Sequence, residues 1–539
     1  MTSDMPRDNP TLSAVPAPGS ARHPWIARQW FTASGGIVAE AAAGVEPAAV
    51  FRHVAGFPHL LFLDSALVDA TIDRQPAAAP PTLPRLGRYS FVAADPIHSV
   101  QVPAHAGQAA AHDLPAALAG VRQLLAELAC PTIPGLPPFQ GGVAGLLAYD
   151  CGLARLGVEP PSRVSSPVPL VSLHVYDVVF AYDHDLRRGW FISQGVPARG
   201  PLERQRRAAE RLAIFMAGCP RSAVDTTREA QPSASAVPAW AAHPLAGHAG
   251  VFASQSPESY REMVARGIDY VRAGDIFQVN LAQQFAVAGA VDPVELYMKA
   301  REINAAPFAS FFDAGDVQIV SMSPERFLQV ARGVVRMHPI KGTRRMIASP
   351  EADLFAGDDL EASPKDRAEN VMIVDLVRND LARVCRPESV RVEALCRLER
   401  YRYVQHLVSI VAGRLRPGLS AVDALEAAIP GGSVTGAPKH RACEIISELE
   451  GVARGAYCGS LGSIGLDGTA DFNLLIRTIV ASPSGLTFAA GGGITAASDP
   501  AAEHAESLHK AEGLLRVLAA TTSRPRVAAQ PASAAEPPT

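Results

Sequence analysis

The stretch SFFDAGDVQIVSMSPERFLQVARGVVRMHPI, residues 310–340, contains successive apolar runs separated by short polar turns. The runs are rich in β-branched and aromatic residues, and glycine lies in the turns at positions 315 and 333, a pattern typical of antiparallel strands. Helical segments follow these hairpins in the chain. The stretch therefore favours an α+β fold with antiparallel sheets over a doubly wound parallel sheet.

The sequence on either side continues this alternation. In the second half, residues 251–517, helices are predicted at 256–274, 363–384, 438–451 and 498–520, and strands and turns at 457–494. The first half, residues 45–218, contains shorter strand-like runs at 59–66, 88–97, 169–183 and 188–195, with amphipathic helices at 113–129 and 202–218.

Three segments differ from this pattern in composition. Residues 1–22, 221–250 and 521–539 are rich in Pro, Ala and Ser, which indicates disordered termini and a linker. The sequence therefore predicts an N-terminal region at 45–218, a linker at 221–250 and a catalytic domain at 251–517.

Bulk composition excludes several classes of function. The 539 residues are 48% hydrophobic and 19% charged, with a net charge of −4, which gives no electrostatic basis for binding nucleic acid or an anionic membrane. Seven cysteines without a CxxC pair argue against a zinc site or a disulfide framework. No signal peptide or apolar span is evident, so we expect a soluble cytoplasmic protein.

Lysine is rare in this chain, which makes Lys341 in the segment HPIKGTRR conspicuous. Lys and Arg together number 49, yet the lysines are only those at positions 299, 341, 365, 439 and 510. A guanidinium stays protonated and binds anions, whereas a desolvated lysine amine can lose its proton and attack carbon. Lys341 is therefore a candidate nucleophile, although a lysine beside Gly342 can also simply face solvent.

Acidic residues offer a candidate metal site and a candidate general acid. Glu503 and Glu506 share a helix face with Lys510, and Glu369 lies on another predicted helix. Two such helices could hold Mg²⁺ through one or two carboxylates, or they could be ordinary solvated faces. Glu325 precedes a predicted strand, and across a hairpin it could face an amine nucleophile as its general acid.

Two glycine-rich turns and one histidine complete the candidate residues. PGGSVTGAPK, residues 430–439, leads into a helix, and AAGGGIT, residues 489–495, lies between strands. Their backbone N–H groups could bind a carboxylate or phosphate, or they could be tight turns. Neither matches the nucleotide-binding P-loop. His406 lies in an apolar run, where a hydrogen-bonded core histidine is the more common case.

Together these segments resemble the chorismate-utilising enzymes, which include the anthranilate, aminodeoxychorismate, isochorismate and salicylate synthases. The motifs occur in family order in the second half as GDIFQVNLAQ, SPERF, PIKGTRR, DRAENVMIVDLVRNDLARV, HLVS, GGSVTGAPK, YCGSLGSI, IRT, GGGI and EHAESLHKA. The first half resembles the family's N-terminal region in LLFLDS, RYSFVAADP and FQGGVAGLLAYD. The resemblance implies two large antiparallel sheets packed face to face with helices outside.

The resemblance also implies roles for individual residues. In the aminodeoxychorismate synthase branch the lysine of PIKGT attacks C2 of chorismate, which assigns Lys341 as the nucleophile, Glu325 as the acid and His406 as an active-site histidine. Anthranilate synthases usually have a small residue at the lysine position. The implied Mg²⁺ ligands are Glu369, Glu503 and Glu506. The implied substrate contacts are Gln278, Thr435, Tyr457, Arg477, Gly491, Gly492, Gly493 and Lys510.

Three further expectations follow from the resemblance. No segment looks like a glutaminase, so a separate glutamine amidotransferase subunit is expected to supply ammonia. Ser65 matches an element of the family's tryptophan pocket, although a buried strand serine is an equally good interpretation. The alternatives to an aminodeoxychorismate synthase component I are anthranilate synthase component I and a non-catalytic relative that binds chorismate or tryptophan.

Overall fold

The computed structural model describes residues 12–13, 23–66, 86–104, 108–161, 166–219, 238–289, 291–345, 349–400 and 404–522. The strands are β1 Leu12–Ser13, β2 Ile26–Thr32, β3 Ile37–Ala41, β4 Leu61–Asp64, β5 Tyr89–Ala93, β6 His98–Val102, β7 Gly142–Leu147, β8 Val171–Tyr176, β9 Val178–Asp183, β10 Arg188–Ser193, β11 His243–Pro244, β12 Val251–Ala253, β13 Gln278–Val287, β14 Phe308–Asp313, β15 Gln318–Ser323, β16 Arg326–Ala331, β17 Val334–Met337, β18 Ile340–Arg345, β19 Arg391–Arg400, β20 Val404–Arg414, β21 Gly436–Ala437, β22 Ser460–Gly465, β23 Ala470–Leu474, β24 Thr478–Ser482 and β25 Gly485–Ile494.

The helices are α1 Pro47–His53, α2 Gln108–Glu127, α3 Tyr149–Leu156, α4 Pro201–Ala217, α5 Pro257–Ala273, α6 Pro293–Ile303, α7 Pro350–Ala362, α8 Pro364–Ala382, α9 Ala421–Ala428, α10 Lys439–Glu450 and α11 Pro500–Thr522. Helix α5 shows why these boundaries are readable from sequence. The Ser256 side chain accepts a hydrogen bond from the Ser259 N–H, and Gly274 ends the helix in the left-handed conformation.

The strands form two antiparallel sheets, which confirms the predicted α+β class. The larger sheet has the order β1-β2-β3-β10-β9-β5-β4-β14-β15-β24-β25-β13-β12-β11, and the smaller has β18-β20-β17-β16-β23-β22-β7-β8-β6. Short β21 pairs with β13, and β19 pairs with β20. Strands from both halves of the chain enter both sheets, since β4 pairs with β14 and β7 with β22.

The two sheets pack face to face, as expected. A buried apolar cluster between them combines larger-sheet residues such as Phe312 and Ile319 with smaller-sheet residues such as Leu146 and Leu461. A second cluster lies between the larger sheet and helices α1, α4, α6 and α11. A third packs α2, α3, α5, α8, α9 and α10 on the smaller sheet and on β13 and β25 of the larger one. The helices therefore cover the outer faces.

The stretch 310–340 forms the predicted hairpins and passes from one sheet to the other. Strands β14 and β15 pair in the larger sheet, and β16 and β17 pair in the smaller one. The crossing at Ser323–Arg326 places Glu325 between the sheets at the point where β16 begins. This crossing positions the candidate acid.

Most of the three Pro/Ala/Ser-rich segments lie outside the described residues. Within them, Leu12–Ser13 forms β1 and His243–Pro244 forms β11, which pairs with β12 at the edge of the larger sheet. Helix α11 extends to Thr522. These short parts of the three segments therefore have regular secondary structure. No helix in the described ranges has the length and apolar character needed to cross a membrane.

Candidate active site

Lys341 lies on β18, where a bulge directs its side chain. Lys341 pairs with Leu407 of β20, and the register shifts between Lys341 and Thr343. Gly342 occupies the bulge with φ +76°, and a Cβ there would lie 2.8 Å from Leu360 Cδ1, so this position requires glycine. The Lys341 side chain is half-buried.

The environment of the Lys341 amine lowers its pKa. Burial is the main cause, and the positive charge of Lys510 acts in the same direction, while Glu369, Glu325 and Glu506 oppose both. Arg344, three residues further along the chain, forms ion pairs with acidic side chains of α7 and α8. A lowered pKa increases the fraction of neutral, nucleophilic amine near neutral pH.

Glu325 is buried beside this amine and has the properties of a general acid. Its side chain is 6% exposed, and burial raises its pKa to about 7, against the opposing effects of the Ser433 hydrogen bond and of Lys341. The Ser433 hydroxyl donates to Glu325 Oε1 at 2.9 Å. The sequence did not identify Ser433, although it lies inside the glycine-rich turn that was singled out.

The glycines of β25 bring several predicted residues together. A Cβ at Gly492 would lie 3.0 Å from Glu503 Oε2, 3.6 Å from Glu506 Oε1 and 3.7 Å from Lys510 Nζ. A Cβ at Gly493 would lie 3.5 Å from Lys341 Nζ and only 2.0 Å from Gln278 Nε2. The absence of side chains at these two glycines therefore leaves room for the amines, the amide and the carboxylates to share one site.

Helices α8 and α11 supply carboxylates to this site. Lys510 forms an ion pair with Glu506 at 2.6 Å and donates to the Gly491 carbonyl at 3.0 Å. Glu503 is buried and accepts a hydrogen bond from Ser498 at 2.7 Å. Burial raises the pKa of Glu503 and of Glu369. Burial also acts to raise the pKa of Glu506, but Lys510 outweighs it and leaves the value lowered.

These carboxylates suit Mg²⁺ by chemistry, although they do not form a closed metal cage. Among the described residues, no group of three His, Cys, Asp or Glu side chains is arranged to hold a metal ion. The charges of Glu369 and Glu506 nevertheless act to raise the pKa of Lys341, and the charge of Glu506 acts to raise the pKa of Glu369. The two carboxylates and the amine therefore lie near one another. Mg²⁺ needs only one or two carboxylates and takes its other ligands from water and substrate.

His406 and Arg477 lie close enough for the charge of Arg477 to act on the imidazole. His406 of β20 is 2% exposed and pairs with Thr343 of β18. Burial and the charge of Arg477 lower the pKa of His406 to about 3, so the imidazole is neutral at physiological pH. Arg477 has a left-handed backbone, with φ +52°, and its carbonyl accepts from the Met322 N–H. Such a backbone is uncommon outside glycine and asparagine.

Thr435 and Tyr457 belong to a buried network that fixes β13. The Thr435 hydroxyl donates to the Gly431 carbonyl at 2.9 Å, and its own carbonyl accepts from the Asn280 N–H. The buried Arg454 guanidinium donates to the carbonyls of Val434 and Asn280. The Tyr457 ring lies 5.5 Å from this guanidinium. The Thr435 hydroxyl therefore holds its own turn, and a contact with substrate stays a prediction.

Arg454 pairs with Glu450, and neither residue was identified from the sequence. Glu450 Oε1 also accepts from the Ala282 N–H at 2.8 Å. Sequence reasoning also missed Asn280, which is 8% exposed and whose Nδ2 has no hydrogen-bond partner in the described part of the chain. The alternation of Gln278 and Asn280 in QVNL was the available signal, because residues two apart share a strand face.

Ser65 lies away from this site, at a cavity of about 200 Å³ between the sheets. Its hydroxyl donates to the Tyr89 carbonyl at 2.7 Å. The cavity lining also includes Phe91, Phe139 and Arg326. Arg326 follows Glu325 directly, so adjacent residues of the crossing segment face the cavity and the candidate active site.

Comparisons with known proteins identify the family of the chain. Residues 84–516 match the family described as chorismate binding enzyme. The chain is 39% identical to anthranilate synthase component 1 of Streptomyces coelicolor, over 74% of this chain and 76% of that protein. It is 38% identical to aminodeoxychorismate synthase component 1 of Klebsiella aerogenes, over 71% of this chain and 78% of that protein.

The fold also matches a solved structure. Anthranilate synthase component I from Streptococcus pneumoniae superimposes with a TM-score of 0.64 and 27% sequence identity, covering 83% of this chain and 96% of that one. Relatives of nearly equal similarity thus carry the names of two different activities. Overall similarity gives the family, and the choice between the two activities depends on individual residues.

Proposed function

The chain belongs to the family of chorismate-binding enzymes, and we propose that it is an aminodeoxychorismate synthase that converts chorismate and ammonia to 4-amino-4-deoxychorismate. The observation that carries this proposal is Lys341. Its half-buried amine has a lowered pKa and lies beside the buried acid Glu325. A nucleophile and an acid in this arrangement suit displacement of a hydroxyl group from the substrate.

The proposed first step forms a bond between Lys341 Nζ and C2 of the chorismate ring. The two ring double bonds shift by one position, and the C4–oxygen bond breaks. Glu325 gives its proton to the departing hydroxyl, which leaves as water. The pKa of Glu325, raised to about 7, keeps a proton available for this transfer at neutral pH.

In the proposed second step ammonia attacks C4, the two ring double bonds shift back to their original positions and the C2–Nζ bond breaks. The enolpyruvyl ether stays on the ring, in contrast to anthranilate synthesis. Glu325, now ionised, takes a proton from the incoming nitrogen in this proposal. We propose that a separate glutamine amidotransferase subunit delivers the ammonia.

Substrate binding is assigned to groups around the β25 glycines. Lys510 and Arg477 would pair with substrate carboxylates, and the backbone of Gly491–Gly493 would line the ring. Glu369 and Glu506, with Glu503 beside them, would hold Mg²⁺. When bound, this ion supplies positive charge that neutralises the ring carboxylate.

The proposal is tested with purified protein, chorismate, Mg²⁺ and an ammonium salt, with the products identified by mass. Aminodeoxychorismate is expected with ammonia, and glutamine should serve only when a partner subunit is added. Anthranilate with release of pyruvate would identify the alternative, anthranilate synthase component I, to which the chain is also similar. Binding of chorismate without any product would indicate a non-catalytic relative.

Lys341→Arg gives the sharper test of the nucleophile. Arginine keeps the positive charge but cannot attack carbon, so this variant should be as inactive in aminodeoxychorismate formation as Lys341→Ala. In the wild type, enzyme quenched with chorismate and no ammonia should carry an adduct on the peptide containing Lys341. Wild-type rates of product formation by Lys341→Arg would contradict the covalent mechanism.

A further inference from the structure

The side-chain amide of Gln278 is buried without hydrogen bonds. Gln278 is 2% exposed, and neither its Nε2 nor its Oε1 has a partner within the part of the chain that the structure describes. A buried amide that lacks partners costs about 1–3 kcal/mol for each unsatisfied group. Such groups are rare in native proteins, and each one calls for an explanation such as a catalytic role or a bound water or ion.

The position of this amide indicates its hydrogen-bonding partner. Gln278 Nε2 and Lys341 Nζ both lie near the Cβ position that Gly493 leaves empty, at 2.0 and 3.5 Å from it. The amide and the amine therefore both lie close to the same glycine, and because a half-turn of the terminal amide exchanges its nitrogen and oxygen, Oε1 can take the position beside Lys341. Any side chain at position 493 would separate the two groups or displace the amide.

Strand β13 holds Gln278 firmly at this place. The strand pairs with β25 along its length, and the carbonyl of Asn280 accepts from Arg454 at 2.7 Å. The N–H of Ala282 donates to Glu450, and Gln278 itself pairs with Ala437 of β21. An amide on such a well-anchored strand can fix the direction of a neighbouring flexible side chain.

A lysine nucleophile needs this kind of restraint. Its neutral amine has two N–H donors and one lone pair, and the amine rotates freely about the Cε–Nζ bond unless an acceptor holds a donor. The carboxylates around Lys341 would favour its charged form, which has no free lone pair. A neutral amide oxygen accepts an N–H bond without adding a full negative charge.

We propose that Gln278 is a positioning residue whose Oε1 accepts a hydrogen bond from the neutral Lys341 amine and directs the lone pair towards C2 of the substrate. This inference rests on the proposed function, because it requires Lys341 to be the nucleophile. It differs from the role of direct substrate contact that the sequence suggests for Gln278.

The test measures formation of the Lys341 adduct in Gln278→Met, with chorismate present and ammonia absent. Methionine has a similar length but no oxygen acceptor. We expect the maximal rate of adduct formation to fall about tenfold or more, since loss of orientation slows an otherwise aligned attack. The chorismate concentration that gives half of this rate should stay unchanged.

Two further variants make the experiment decisive. Gln278→Asn keeps a buried amide but withdraws its oxygen by one carbon, so it should show the same loss even if the methionine variant folds poorly. Gln284→Met is the matched control, because Gln284 lies on the same face of β13 and already bonds the Ala453 carbonyl at 2.7 Å. The control should form the adduct at the wild-type rate.

Three results would overturn the inference. Adduct formation at the wild-type rate in both Gln278 variants would show that the amide does not position the amine. A raised half-saturating concentration with an unchanged maximal rate would assign Gln278 to substrate binding. Absence of any adduct in the wild type would refute the proposed function and this inference together, and only that result affects both.

Discussion

The carboxyl group of Glu325 should control how the reaction depends on pH. As the proton donor it must be protonated, and its pKa is raised to about 7 by burial. Turnover should therefore decline as the pH rises through about 7. Glu325→Gln removes the donor and should lower kcat by a factor on the order of 10²–10⁴. The residual rate should lose the inflection near pH 7 in a pH–rate profile.

The carboxyl group of Glu325 should also make the free energy of unfolding depend on pH. Between the unfolded pKa of about 4.3 and the folded value of about 7, the folded state binds more protons than the unfolded state. The free energy of unfolding therefore decreases as pH rises across this window, by an amount on the order of 3 kcal/mol. Denaturant titrations at pH 5 and pH 8 should show a smaller difference for Glu325→Gln. An equal difference in both proteins would contradict the raised pKa.

The facing carboxylates of α8 and α11 give the prediction for the metal. Glu369→Ala and Glu506→Ala should each nearly abolish turnover and weaken Mg²⁺ binding, measured by calorimetry, because Mg²⁺ depends on the few carboxylates available. Both side chains are partly exposed, so the fold should survive. Glu361→Ala, an exposed carboxylate of neighbouring α7, is the control. Full activity in excess chelator would exclude the metal.

The ion pair between α8 and the start of α10 should be needed for the stability of the fold. Lys439 Nζ is buried and donates to Asp380 Oδ2 at 2.7 Å and to the Ala428 carbonyl at 2.9 Å. Lys439→Met leaves Asp380 buried and unpaired, which should cost about 3–5 kcal/mol in denaturant unfolding. Lys439→Met with Asp380→Leu should recover much of this loss, because it removes both charges. An unchanged midpoint in the single variant would contradict this role.

Local elements were readable from the sequence, and contacts between distant elements were not. The hairpins of 310–340 and the capped helix α5 follow from periodicity and from Ser256 and Gly274. The hydrogen bond from Ser433 to Glu325 joins residues 108 positions apart, and no local pattern encodes it. Arg344 lies three residues from Lys341 in the chain, but its side chain pairs with acids, and the cation whose charge acts on Lys341 is the distant Lys510.

How the two halves of the chain pack together was also not readable from the sequence. Composition changes at 221–250 suggested separate regions, yet β4 and β7 of the first half pair with β14 and β22 of the second. Strand pairing across such long separations depends on which faces can be buried together, which a single sequence does not show. Site motifs were nevertheless identified, because each motif is short and contiguous.

The cavity between the two sheets leads to the remaining prediction, that it binds tryptophan. The cavity, of about 200 Å³, is lined by the aromatic rings of Phe91 and Phe139 and by polar groups including Ser65 and Arg326. Apolar walls with a few polar groups suit an aromatic amino acid.

A ligand that binds only the folded state stabilises that state. Tryptophan at 100 times its Kd should therefore add about 2.7 kcal/mol to the free energy of unfolding and raise the unfolding temperature. Ser65→Leu should fill the space and abolish the shift, whereas alanine, as a control ligand, should give none. An unfolding temperature unchanged by millimolar tryptophan would leave Ser65 as a buried serine directly after β4 whose hydroxyl donates to the Tyr89 carbonyl.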